Sequence, residues 1–132
     1  MNNSQPTILF LGHGSRAPGA MEGMQQVAET LQQKYAVRDL VMCTMEGLGL
    51  NLRDAIRKCY AQGCRHMLVV PFFLHSGNHL LLDVPEMLNE ARTEFPDLAI
   101  HQGRHLGADP ALAELAFRRI QESLLDLEAS PQ

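Results

Sequence analysis

Short apolar runs alternate with longer stretches of helical spacing four times along these 132 residues, and few architectures tolerate that rhythm. Thr7–Leu11 (TILFL), Leu40–Met45 (LVMCTM), Met67–Phe73 (MLVVPFF) and Ala99–Gln102 (AIHQ) read as strands. The first lacks polar alternation, as a parallel strand buried on both faces does. Pro71 inside the third run reads as the end of the strand or as a residue whose amide position faces a loop. Helical spacing covers Gly19–Tyr35, with Met21, Met24, Val27, Ala28 and Leu31 on one stripe. It returns over Asn51–Gln62, with Leu52, Ala55, Ile56 and either Cys59 or Tyr60 inward and Gly63 as the stop. Val84-Pro85 opens a third helix that runs to about Phe95, where Pro96 ends it. Asp109 caps a last helix, with Pro110 in its first turn, extending to about Leu127. The expected fold is α/β: one domain over residues 1–127, with a four-stranded parallel sheet and helices on both faces. Residues 128–132 are expected to fray.

Charge and composition exclude some partners. A formal charge of −4 and a pI near 5.8 leave no basic face for phosphate backbones, so nucleic acid is not expected. The N-terminal apolar run is too short for a leader, and no stretch approaches the ~20 apolar residues of a membrane span. A cytoplasmic protein with no membrane partner is expected. Cys43, Cys59 and Cys64 match no disulfide or zinc spacing and read as reduced thiols in core or helix positions.

In open parallel sheets, ligands bind beyond the carboxyl ends of the strands. That rule selects the turn after Leu11, the stretch after Met45, the loop after Phe73 and the loop after Gln102. These carry His13, Glu46, His75 with His79, and His105. Gly12 and Gly14 flank His13, removing side-chain bulk so that backbone amides can approach a ligand. Ser15 and Arg16 are candidates for capping the following helix and for binding carboxylates, which suit the planar guanidinium. Gly77 and Asn78 argue for a turn between His75 and His79. Leu80–Leu82 reads as core, or as the wall of an apolar pocket. Asp83 reads first as a helix N-cap and second as a group that orients an imidazole. His66 and His101 lie away from the selected edge and read as structural.

Three segments then carry a resemblance. LFLGHGSR at Leu9–Arg16, VVPFFLHSGNHLLLDVP at Val69–Pro85 and LGADPALAELAFRRI at Leu106–Ile120 are similar, in order and spacing, to the CbiX-like class II chelatases. The resemblance implies a single flavodoxin-like chelatase domain, sirohydrochlorin as substrate and Co²⁺, Ni²⁺ or Fe²⁺ as the inserted metal, with cobalt favoured. It implies His13 and His79 as the metal-holding pair, with Glu46 as the acidic partner. Gly14, Ser15, Arg16 and Gly77 are the expected substrate contacts. The metal is itself a substrate, so no permanent cofactor is expected. A chain this short resembles the family's single-domain form, which implies a homodimer. A non-catalytic metal or tetrapyrrole carrier would use the same histidines. A phosphate-binding flavodoxin-like domain fits poorly, because the GHGSR turn lacks the glycine pattern such loops need.

Overall fold

The computed structural model describes residues 5–17, 19–47 and 49–129. Its parallel sheet comprises β1 (Thr7–Gly12), β2 (Leu40–Thr44), β3 (His66–Pro71) and β4 (Ala99–Gln102) in the order β2-β1-β3-β4. Register is fixed by Leu9 opposite both Val41 and Val69, and by Met67 opposite Ile100. Between the strands lie α1 (Glu22–Lys34), α2 (Leu52–Ala61) and α3 (Val84–Glu94). A π-helical turn at His79–Asp83 runs directly into α3, and α4 (Pro110–Ala129) follows β4.

Alternation along the central strands divides the core in two. Leu9, Leu11, Met67, Val69 and Ile100 face α2 and α3, meeting Leu52, Ala55, Ile56, Cys59, Leu88 and Ala91. On the opposite face Phe10 meets Met24 and Ala28 of α1. Helices therefore lie on both faces. Asn51 caps α2 by accepting the Asp54 amide at 2.8 Å, which satisfies one of the orphan donors of the first turn. Gly63 follows that helix with φ +100°, a conformation that favours glycine.

Some local expectations are corrected. Helix α1 starts at Glu22, after the turn at Gly19, and no side chain caps it. Ser15 instead caps its own turn, its Oγ accepting the Ala17 amide at 3.1 Å. Val27 is 38% exposed, because the buried stripe of α1 is only as wide as Met24 and Ala28. Leu80 is core, whereas Leu81 and Leu82 are more than 60% exposed. Five consecutive helical residues cannot all face one side. Helix α4 continues through Ala129, so the expected fraying at residues 128 and 129 is not seen, and residues 130–132 lie outside the described part.

Candidate active site

Strand order places the candidate residues. The chain leaves β1 through α1 on one face of the sheet, and leaves β3 through α3 on the other. The strands stay paired to Leu11 and Pro71, so it is the connections after them that diverge, and a crevice opens between these. His13 follows β1 and His79 follows β3, so each stands on one lip of that crevice.

The lip carrying His13 is built by two interlocked turns. The Met45 and Glu46 amides donate to the carbonyls of Gly12 and His13 at 3.0 and 3.2 Å, fastening the end of β2 to the end of β1. Gly14 has φ +97°, and a β-carbon there would overlap the Glu46 carbonyl. Gly47 has φ +88° and a β-carbon there would stand 2.9 Å from the Ser15 amide nitrogen. Both positions need glycine for space as well as for dihedral angle. This docking brings Glu46 Oε1 to 3.5 Å from His13 Nε2.

His79 is held differently. The Gly77 carbonyl accepts the amides of Leu80 and Leu81, starting the π-helical turn. Gln102 Nε2 donates to the Leu80 carbonyl at 3.2 Å and pins that turn to the end of β4. One turn on, Asp83 Oδ2 lies 2.9 Å from His79 Nδ1. An ionised carboxylate only accepts, so Nδ1 carries the proton and Nε2 keeps its lone pair for a metal or a proton. Asp83 makes no capping bond to α3; of its two expected roles, orienting the imidazole is the one found. The expected turn between His75 and His79 gives way at Asn78 to this helical turn, and His75 is left exposed.

The two imidazoles converge, with ring centres 5.0 Å apart and planes inclined by 52°. An ion about 2.1 Å from one nitrogen of each ring lies about 3.2 Å from each ring centre, which puts the centres about 5 Å apart for a near-tetrahedral angle at the ion. The observed separation of the ring centres matches the spacing of such a bridge. Phe73 meets the His13 ring edge-on at 6.0 Å and limits its swing. A cleft of about 390 Å³ opens here, lined by His13, Phe72, Phe73, Leu74, Gly77 and His79 among others. A larger hollow of about 480 Å³ lies at the amino-terminal edge of the sheet and holds neither of these imidazoles.

The remaining candidates sort by place. Gly14 and Ser15 form the turn beside His13, and Arg16 is exposed next to them. His105 sits in the loop after β4 against Gly107 and does not line the cleft. His66 and His101 pair edge-to-face at 5.7 Å on the sheet surface, away from the cleft. Cys43 is buried beside Cys59, and desolvation pushes the pKa of its thiol up to about 12. Among the described residues no group of three or more His, Cys, Asp or Glu side chains is arranged to hold an ion. Sequence reasoning missed Gly47, Phe73 and Gln102; of these only Gly47, a glycine directly after the strand-end acid, carried a local signal.

Residues 7–123 match the family model described as CbiX. A sirohydrochlorin cobaltochelatase from Methanosarcina acetivorans is 33% identical over 126 residues, covering 89% of this chain and 95% of that protein. The chain spans only 44% of the sirohydrochlorin ferrochelatase from Bacillus subtilis, at 25% identity. A crystal structure of a CbiX protein from Marinobacter aquaeolei superposes with a TM-score of 0.74 at 28% identity, covering 95% of this chain and 99% of that one. The chelatase SirB from Bacillus subtilis subspecies spizizenii, in complex with cobalt, superposes with a TM-score of 0.79 at 25% identity over 87% of this chain and 49% of that one. The chain belongs to the CbiX family of class II chelatases.

Proposed function

We propose that this protein inserts a divalent metal, Co²⁺ first, into sirohydrochlorin. It does so in the cytoplasm, as a homodimer. The observation that carries the reading is the 5.0 Å approach of His13 and His79 across the crevice between β1 and β3. Insertion needs three things: water stripped from the metal, two pyrrole protons removed, and a path into the macrocycle. Imidazole nitrogen suits borderline first-row metals and also accepts protons, so the same pair can serve both needs. His79, oriented by Asp83, offers Nε2 to the metal, and His13 completes the pair. As the metal enters, two protons leave the pyrrole nitrogens, and the imidazoles and Glu46 relay them to water. The ring's carboxylates meet Arg16 and the amides around Gly14, Ser15 and Gly77. Phe72, Phe73 and Leu74 give the flat ring an apolar wall.

Cobalt is favoured because relatives at about 33% identity over most of their length, from Methanosarcina acetivorans and Methanosarcina barkeri, are named as cobaltochelatases. Iron is the second reading, favoured by the ferrochelatases of Bacillus subtilis and Arabidopsis thaliana among the relatives. The homodimer is favoured because one chain's cleft is open, whereas SirB has about twice this chain's length. The test mixes sirohydrochlorin with Co²⁺, Ni²⁺ or Fe²⁺ under anaerobic conditions and follows the change in absorbance. Turnover beyond one equivalent is expected, fastest with Co²⁺; a single stoichiometric step would make the protein a carrier. His79→Ala should abolish the acceleration while thermal unfolding stays near that of the parent.

A further inference from the structure

The 20 residues of α4 contain none that is buried. Phe117, Ile120, Leu124 and Leu127 are each more than 50% exposed and recur at intervals of three and four residues. That spacing places them on one face, with Ala113 and Ala116 extending the stripe toward the helix start. Arg118, Arg119, Glu122 and Asp126 fall on the other side. A continuous stripe of this kind on a 20-residue helix is a surface that has lost its cover.

The sheet has a matching vacancy. On the α1 face, α1 packs over Phe10, Leu40, Met42, Val70 and Phe72. Since Met67, Val69 and Ile100 point into the other core, His66, Leu68, Ala99 and His101 belong to the α1 face. Ala99 and His101 are exposed, and Leu68 is half-buried. In a doubly wound sheet the helix after the last strand covers this half.

The connector keeps α4 from folding back there. The Gly103 amide donates to the Val69 carbonyl at 2.7 Å, and the Leu106 amide to the Phe73 carbonyl at 3.0 Å. Asp109 Oδ1 then caps the helix by accepting the Ala111 amide at 2.9 Å. The start of α4 is thus fastened at the carboxyl edge of the sheet with its axis leading off the body.

We propose that α4 lies on the open β3–β4 face of a second copy of this chain, with the exchange made reciprocally about a twofold axis. This rests on the homodimer reading above and names the helix and the face that build it. A 20-residue helix is about 30 Å long and presents a face about 10 Å wide. Counting both surfaces, one such contact hides roughly 600 Å² and two hide roughly 1,200 Å², the lower bound for a stable interface. Each helix starts beside Phe73, which touches His13, so the exchange also brings the second body up to the open cleft.

Light scattering on the eluting full-length chain tests this. The parent protein is expected at twice the chain mass. The double substitution Phe117→Glu, Leu124→Glu alters exposed positions only and should raise the dissociation constant at least tenfold, giving monomer at micromolar concentration. Ala99→Arg, on the receiving face of β4, should weaken the dimer to a similar degree, with circular dichroism unchanged in both variants. A monomeric parent would overturn both the exchange and the homodimer reading. A dimer indifferent to the α4 pair would overturn the exchange alone. Sensitivity to the α4 pair without sensitivity to Ala99→Arg would mean that α4 meets another surface, and would overturn the face assigned here.

Discussion

Gly14 holds φ +97° with the Glu46 carbonyl occupying the place of an absent β-carbon. Any side chain there must unlatch the β1 and β2 turns, which separates Glu46 from His13. Gly14→Ala should lower stability by roughly 1–3 kcal/mol, read as a shift in thermal midpoint, with chelation reduced further than stability explains. Asp83 acts at one remove, through His79 Nδ1. Asp83→Asn should weaken Co²⁺ affinity about 10–100-fold, as loss of such a partner does elsewhere. Isothermal titration would show it; an unchanged affinity would strip Asp83 of the positioning role. The buried Cys43 thiol, raised by desolvation, should resist iodoacetamide at pH 8 in the native protein, checked by peptide mass mapping. Strand ends placed His13, Glu46 and His79 at one edge in the sequence together with His75 and His105, and only the resemblance singled out the first three. The partnership of Asp83 with His79 was legible only as an alternative to capping. Deciding between them needed the helical phase of residues 79–83, which Gly77 and Asn78 obscured.

At the scale of elements, the sequence pattern located every strand to within two residues, because buried parallel strands are short apolar runs with sharp ends. Helix starts were less legible. Local propensity favoured a helix from Gly19, but that residue adopts φ +75° and the chain makes one more turn before α1. The π-helical turn had no sequence signature. It arises where the Val84 amide reaches back five residues to the His79 carbonyl, while Gln102 holds the Leu80 carbonyl from the end of β4. Asn51, which the sequence pattern included in the helix, is the residue that caps it. Asn51→Ala should destabilise the fold by about 1 kcal/mol and leave Co²⁺ affinity unchanged, measured by thermal unfolding and titration in parallel.

Across the whole molecule, function follows from strand order. Placing β1 beside β3, with their following helices on opposite faces, opens one crevice, and the two imidazoles lie at its lips. The alternating pattern predicted parallel strands and helices on both faces. It could not say that α4 would stand clear of its own sheet, because an amphipathic stripe reads alike whether its cover is the same chain or another. The account depends most on a single ion bridging His13 and His79. X-ray absorption on the Co²⁺-loaded protein, without tetrapyrrole, measures that bridge directly. An imidazole-nitrogen shell at about 2.0–2.1 Å is predicted, losing amplitude equally in His13→Ala and His79→Ala. A cobalt environment that neither substitution alters would contradict the assignment.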